Sequence, residues 1–171
     1  MEPYERIVKE NNTGAAYAME VCGVGDLSCL VDMYRVFSPR PASQGLPPED
    51  PQTCECWVQD LLRIGINVLA KKEDRVIGHA ALIPDPKGTS GEFVIFVHQD
   101  YRNLGIGTEL TRLILLKARE LGYASVWLTV AIKNFIAIKL YRKLGFAYCD
   151  MDDCERTMRI ELAEPDLSGS R

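Results

Sequence analysis

Two short stretches of this chain carry residue types whose spacing can do chemistry. The first is Arg102-Asn103-Leu104-Gly105-Ile106-Gly107, followed by Thr108. It lies between an apolar run ending at Val97 and the start of an amphipathic one. Gly105 and Gly107 leave the backbone bare, so successive N–H groups can converge on an anion without a Cβ in the way. A helix starting there adds unpaired N–H donors and a partial positive charge, and Arg102 adds a formal one. A pyrophosphate suits such a site. Glycines also precede helices in plain strand–helix connections, so this turn by itself says only that an anion would be welcome near a helix start. Two nucleotide-binding motifs fail on residues. A Walker A loop needs Gly-Lys-Ser/Thr, and no Gly-Lys pair occurs; a dinucleotide fingerprint needs a third glycine where Leu110 stands.

The second stretch is Asn134-x-x-Ala137-x-x-x-Tyr141-x-x-x-Gly145-Phe146. Steps of three and four residues put Asn134, Ala137 and Tyr141 on one face of a short helix. A small Ala between two polar groups would let a ligand lie close against that face. An N-cap Asn and a packed Tyr are also ordinary structural features, so this stretch is no more specific than the first when taken alone.

The elements that must position these residues follow from apolar periodicity and from turn residues. Residues 1–14 read as a flexible leader ending in Asn11-Asn12-Thr13-Gly14, and 17–21 as a short strand. Asp26 offers an N-cap for a helix over 27–37. Pro39, Pro41, Pro47, Pro48 and Pro51 keep 38–51 a loop, long enough to suggest a functional one. A second helix is expected over 53–63, ended by Gly65. Residues 66–70 and 75–83 form a hairpin through the turn 71–74, and 92–97 form an apolar strand. The clearest helix spans 105–121, with Ile106, Leu110, Leu113, Ile114 and Leu121 in one stripe. A strand over 125–130, a helix over 134–144 and a closing hairpin of 146–151 with 156–162 complete the order. The strands at 92–97 and 125–130, joined by a helix, are expected to be parallel neighbours. A single domain over 15–163 and a flexible tail over 164–171 are the expected organisation.

At 171 residues, 47% hydrophobic and 26% charged, the chain has the makings of one soluble globular domain. No apolar run approaches the ~20 residues a bilayer span requires. The first ten residues lack the apolar stretch of a signal peptide, so the cytoplasm is the expected compartment. A net charge of −4 argues against nucleic acid as a partner. The six cysteines are expected to be free thiols, because Cys54-x-Cys56 and Cys149-x₄-Cys154 do not repeat a zinc-ribbon spacing. No metal is expected.

In order, separated by a helix and a strand, the two stretches resemble the GNAT superfamily of N-acetyltransferases across residues 92–147. Its pyrophosphate signature, Gln/Arg-x-x-Gly-x-Gly/Ala, is matched by Arg102, Gly105 and Gly107; Asn134, Ala137, Tyr141 and Gly145-Phe146 match at the family's spacing. The resemblance implies an α/β (α+β) fold: a central mixed, twisted sheet splayed into a V after Val97 and flanked by about four helices. Acetyl-CoA would lie between the parted strands, its cofactor-binding residues being Val97, Arg102, Asn103, Leu104, Gly105, Ile106, Gly107, Thr108, Asn134, Ala137 and Tyr141. It also implies acetyl transfer to a primary amine by direct attack in a ternary complex. Tyr141 would then donate a proton to the departing thiolate, and the backbone N–H of Val97 would meet the carbonyl oxygen.

Glu92 is the first candidate for the base, where family members place a carboxylate that works directly or through water, though a solvated glutamate at a strand end is the plain alternative; His98 ranks below it and His79 is read as packed. Strand parity puts Glu92 on one face with Val94, Phe96 and His98 unless a bulge intervenes, and the family carries such a bulge. The acceptor is expected to be a small amine metabolite. A peptide or protein amine is the alternative, and a non-catalytic acyl-CoA-binding sensor module is a reading of another class. The 38–51 loop, the second helix and the last hairpin usually shape the acceptor pocket in this family. Here they carry Glu49, Asp50, Glu55, Asp60, Asp150, Asp152, Asp153 and Glu155. That bias would attract a cation or simply keep the surface soluble. Family members often pair through edge strands or the last hairpin, so a homodimer is compatible with the resemblance.

Overall fold

The computed structural model describes residues 6–151 and 155–162. Its elements run β1 (Ile7–Glu10), β2 (Ala16–Cys22), α1 (Leu27–Arg35), α2 (Pro51–Ile64), β3 (Ile66–Lys72), β4 (Arg75–Pro84) and β5 (Ser90–Val97). They continue with α3 (Ile106–Glu120), β6 (Ser125–Ala131), α4 (Phe135–Lys143), β7 (Ala147–Met151) and β8 (Glu155–Glu161). The strands form one sheet in the order β1-β2-β3-β4-β5-β6-β8-β7. Every neighbouring pair is antiparallel except β5 and β6, which are parallel as their helical crossover requires. No described helix is long and apolar enough to cross a membrane.

Three expectations change. Residues 7–10, read as flexible leader, are strand β1, paired with β2 from Ile7–Met19 to Glu10–Ala16. Its pattern hid the strand, because Val8, Lys9 and Glu10 are all exposed and give no alternation to read. The turn expected over 71–74 shortens to Glu73-Asp74, as Lys71 and Lys72 stay paired with Val76 and Arg75. Helix α2 starts at Pro51 rather than at residue 53. The carboxylate of Asp50 accepts from Thr53 N–H at 2.8 Å, and proline is well suited to the first helical position. The tail over 164–171 lies outside the described residues.

The sheet has a helical layer on each face. On one, α3 and α4 cover Val68, Leu82, Phe93, Val126 and Leu128 with Leu110, Ile114 and Ile138, and Phe146 joins them just after α4. Gly78 in β4 lets α3 sit close, since a Cβ there would meet Leu110 Cδ1 at 2.8 Å. On the other face, α1 and α2 bring Leu30, Tyr34 and Val58 onto Leu69, Val76 and Phe96. Burying each such large apolar side chain stabilises the fold by roughly 1.5–3 kcal/mol.

One polar chain crosses this second layer. Asn67 donates through its side-chain nitrogen to the carbonyls of Leu61 (2.7 Å) and Gly65 (3.1 Å), which turns its oxygen toward His79. His79 Nε2 therefore donates to Asn67 Oδ1 (2.9 Å), and Nδ1 accepts from the Tyr34 hydroxyl (2.7 Å). His79 is fully buried, and burial pushes its pKa down to about 3. It is a neutral tie between α1, the end of α2 and β4, which accords with its reading as packed.

Candidate active site

Strands β5 and β6 pair at Ser90–Ser125, Gly91–Val126 and Glu92–Trp127, and no further pair forms between them among the described residues. Beyond that fork both run on, β5 to Val97 and β6 to Ala131. The gap between them is a cavity of about 660 Å³.

Register decides what faces the gap. The β4–β5 ladder is continuous from Pro84–Gly91 to Gly78–Val97, so no bulge interrupts parity. His98 N–H bonds to the Ile77 carbonyl at 2.9 Å, which makes Gly78–Val97 a non-hydrogen-bonded pair. Ile95 thus turns its backbone N–H and C=O, and Val97 its N–H, away from β4 toward the space β6 has left, while the Val97 carbonyl accepts from Arg102 Nε. That is an open ladder edge, able to pair with an extended amide chain. The Val97 N–H lies on it.

Parity also separates the two candidate proton-transfer groups. Glu92 shares a face with Val94 and Phe96, the latter packed against Tyr34 and Trp57 of the α1–α2 layer. Tyr141, from α4, meets Phe93 edge-on at 6.2 Å and Phe146 at 5.7 Å on the opposite face. Both Glu92 and Tyr141 line the cavity. They enter it from opposite sides of the sheet, through the fork. Burial raises the Tyr141 phenol well above its ordinary value, so the hydroxyl keeps its proton. Burial, and then the charge of Asp85, lift the Glu92 carboxyl above the usual carboxylate range. Asp85 itself accepts from the Trp127 indole N–H at 3.2 and 3.3 Å, just behind the fork.

At the far end of the cavity lies the glycine turn. Gly105 adopts φ +87°, a conformation that costs an L side chain about 1–2 kcal/mol. Its carbonyl accepts the first helical bond, from Glu109 N–H at 3.2 Å. The N–H groups of Ile106, Gly107 and Thr108 precede that bond and have no intrahelical acceptor. Asn103, Gly105, Gly107 and Thr108 line the cavity here, and Asn134, which caps α4 by accepting from Ala137 N–H (3.2 Å), lines it with Ala137. Orphan donors, a helix N-terminus and bare backbone meet at one place, so the donor set fits a pyrophosphate.

Three expected residues act differently from the sequence reading. Arg102 lines the cavity, but its guanidinium is engaged. Nε donates to the Val97 carbonyl (3.0 Å), Nη2 to the Ser38 carbonyl (2.6 Å), and the group stacks on Phe37. It ties the end of β5 to the loop after α1 and is no free positive charge aimed at an anion. Leu104 and Ile106 turn their side chains into the core, leaving only backbone to the site.

Sequence reasoning missed Asn12. Its N–H donates to the Leu104 carbonyl (3.0 Å), and its side-chain oxygen would stand 2.9 Å from a Cβ on Gly105. The β1–β2 turn therefore braces the glycine turn. The run Asn11-Asn12-Thr13-Gly14 was the available signal, as a turn signature that implies a strand on either side.

The loop between α1 and α2 forms the cavity's remaining wall. Phe37, Pro39, Ala42, Ser43, Gln44 and Leu46 line it. Gln99 clasps the base of this strap, accepting from Ser38 N–H (3.1 Å) and donating to the Val36 carbonyl (2.7 Å). Its tip reaches the other arm of the fork, where Gln44 donates to Glu155 at 3.1 Å. None of Glu49, Asp50, Glu55 or Asp60 lines the cavity: Asp50 caps α2 and Asp60 pairs with Arg63. Asp152, Asp153 and the side chain of Asp150 lie outside the described residues. Neither histidine lines it: His98 Nδ1 accepts from Asp100 N–H at 3.2 Å. Among the described residues no group of three or more His, Cys, Asp and Glu could hold a metal, and Cys22, Cys29, Cys54, Cys56 and Cys149 are free thiols; Cys154 lies outside them.

Comparison with known proteins agrees with this geometry. Residues 30–146 match the acetyltransferase (GNAT) family. The chain is similar to mycothiol acetyltransferase of Saccharopolyspora erythraea, 32% identical over 133 residues, covering 76% of this chain and 43% of that one. It is also similar to streptothricin acetyltransferase of Streptomyces lavendulae, 43% identical over 58 residues, covering 34% and 31%. The chain spans less than half the length of these curated relatives. Among solved structures, the GNAT domain of S. lividans PAT superposes with a TM-score of 0.80 over 92% of this chain and 97% of that one, at 16% identity. The yncA protein of Salmonella typhimurium, solved with its cofactor acetyl-CoA, has a TM-score of 0.71 at 16% identity, covering 88% and 96%. At those identities the structures speak for the fold alone.

Proposed function

This chain belongs to the GNAT family of acetyltransferases, and from that premise we propose that it moves an acetyl group from acetyl-CoA to a small primary amine by direct attack in a ternary complex. Acetyl-CoA brings an activated thioester carbonyl and a thiol leaving group. The orphan N–H groups at Gly107 and Thr108 hold its pyrophosphate, with Asn103 and Asn134 beside them. The open edge of β5 pairs with the amides of its pantetheine arm, and the Val97 N–H donates to the carbonyl oxygen as negative charge develops there. Glu92 takes a proton from the incoming ammonium. Tyr141 gives its proton to the departing thiolate, for which a phenol that stays protonated is the suitable acid, and its phenolate is reprotonated as the attacking nitrogen sheds its extra proton to become the amide.

The observation that carries this reading is the entry of Glu92 and Tyr141 into one cavity from opposite faces of the sheet, with the glycine turn at its end. A base on the acceptor side and an acid on the thiol side is the order direct transfer needs. The strap supports a small acceptor over a protein amine, because it lines the cavity from Phe37 to Leu46 and is tied through Gln44 to Glu155. The test is initial-rate release of CoA thiol from acetyl-CoA with a panel of primary amines. Amine-dependent release with intersecting double-reciprocal lines is expected. Tight acetyl-CoA binding with no turnover by any amine would instead identify a sensor module.

A further inference from the structure

The acceptor side of the cavity has a composition that selects among amines. Its walls are Phe37, Pro39 and Leu46 from the strap, with Val94 and Phe96 from β5. Only two charged residues line the whole cavity among the described ones, Glu92 and Arg102. Arg102 is a cation already committed to the carbonyls of Val97 and Ser38. Among the described residues Glu92 is therefore the one carboxylate that lines the cavity, and its own charge is needed there by the amine that reacts.

A polyamine would bring a second ammonium into a space whose other described lining residues are apolar or neutral and whose other lining charge is positive. An unpaired charge in such surroundings is strongly disfavoured. An amino sugar would bring several hydroxyls, while the strap offers Ser43 and a Gln44 whose amide already donates to Glu155. Unmatched hydroxyls would be left without partners. An amine carrying a compact apolar body meets none of these penalties and buries that body against rings and branched side chains.

We propose that the acceptor is a small primary monoamine with an apolar aryl or branched-alkyl body, held by one ammonium–carboxylate contact at Glu92 and by the apolar wall of the strap and β5. This rests on the acetyl-transfer reading above and specifies its substrate class.

The test uses the full chain with acetyl-CoA and five acceptors: 2-phenylethylamine, 3-methylbutylamine, spermidine, glucosamine and a lysine-bearing hexapeptide. kcat/KM for the two apolar monoamines is expected to exceed that for each of the others by at least about tenfold, the discrimination that one or two buried methylenes supply. Leu46→Asp, and independently Ala42→Asp on the exposed side of the strap, put a second carboxylate in the wall. Each is expected to move the spermidine-to-phenylethylamine ratio at least about tenfold toward spermidine. Thiol release that favours spermidine, glucosamine or the peptide would overturn the substrate class while leaving acetyl transfer intact. A ratio unmoved in both variants would overturn the wall as its determinant. No release with any acceptor would overturn the acetyl-transfer reading and this inference with it.

Discussion

Replacing His79 by Gln isolates one buried group whose protonation the fold opposes. In the native chain His79 is neutral, with its pKa pushed down from 6.5 to about 3 by burial. The unfolded chain takes up that proton near pH 6.5, so it binds more protons than the folded one at every pH between about 3 and 6.5. Stability therefore falls as pH drops below 6.5, by about 1.4 kcal/mol per pH unit. Between pH 8 and pH 5 the loss from His79 is roughly 2 kcal/mol. His79→Gln removes this dependence but leaves Tyr34 or Asn67 without its partner, at a cost of about 1–3 kcal/mol at pH 8. Urea unfolding of both proteins at pH 5, 6, 7 and 8 is the assay, and carboxylate titrations common to both cancel in the difference. The stability gap is expected to close by roughly 2 kcal/mol on going from pH 8 to pH 5. Parallel curves would refute the buried, neutral assignment and with it the tie that holds α1 and α2 over β4.

Gly105→Ala forces a Cβ into a left-handed conformation and against Asn12, and should cost about 1–2 kcal/mol in a denaturant melt while weakening acetyl-CoA binding by titration calorimetry. Gly107→Ala meets only ordinary contacts, the nearest at 3.7 Å, and is expected to leave the melt within about 0.5 kcal/mol of the native chain. The acid limb of the kcat/KM profile should lie above the usual carboxylate range, because Glu92 must lose its proton to act. Asp85→Asn removes the second cause of that elevation and should move the limb to lower pH; a limb that stays put would show that Asp85 does not act on Glu92. Glu92→Gln should abolish the limb and lower kcat/KM by roughly 10²–10⁴-fold for every amine.

Much of the site was legible because its chemistry is local. A glycine turn needs residues close in sequence, and an i, i+3, i+7 face on α4 is visible in Asn134, Ala137 and Tyr141. The family resemblance implied a fork but placed its opening after Val97, whereas the strands part after Glu92 and Trp127, a point that nothing in residues 92–97 or 125–130 announces. Arg102 was misjudged because type does not specify direction. Its guanidinium found the nearby Val97 carbonyl and, more than sixty residues earlier in the chain, the Ser38 carbonyl and the Phe37 ring. Strand β1 was missed for the opposite reason: an edge strand with polar residues facing solvent carries almost no periodic signal. The strap's residues were recognised as a loop, but its reach to Glu155 across the fork is tertiary information.

The proposed transfer turns on Tyr141 giving its proton to the departing thiolate inside the β5–β6 fork. Its most direct test is the kcat for CoA thiol release by Tyr141→Phe, measured beside the dissociation constant of acetyl-CoA for the same variant. kcat is expected to fall by roughly 10²–10⁴-fold, with acetyl-CoA affinity essentially unchanged, since the ring's packing on Phe93 and Phe146 is retained. An unchanged kcat in a variant that still binds acetyl-CoA would contradict it.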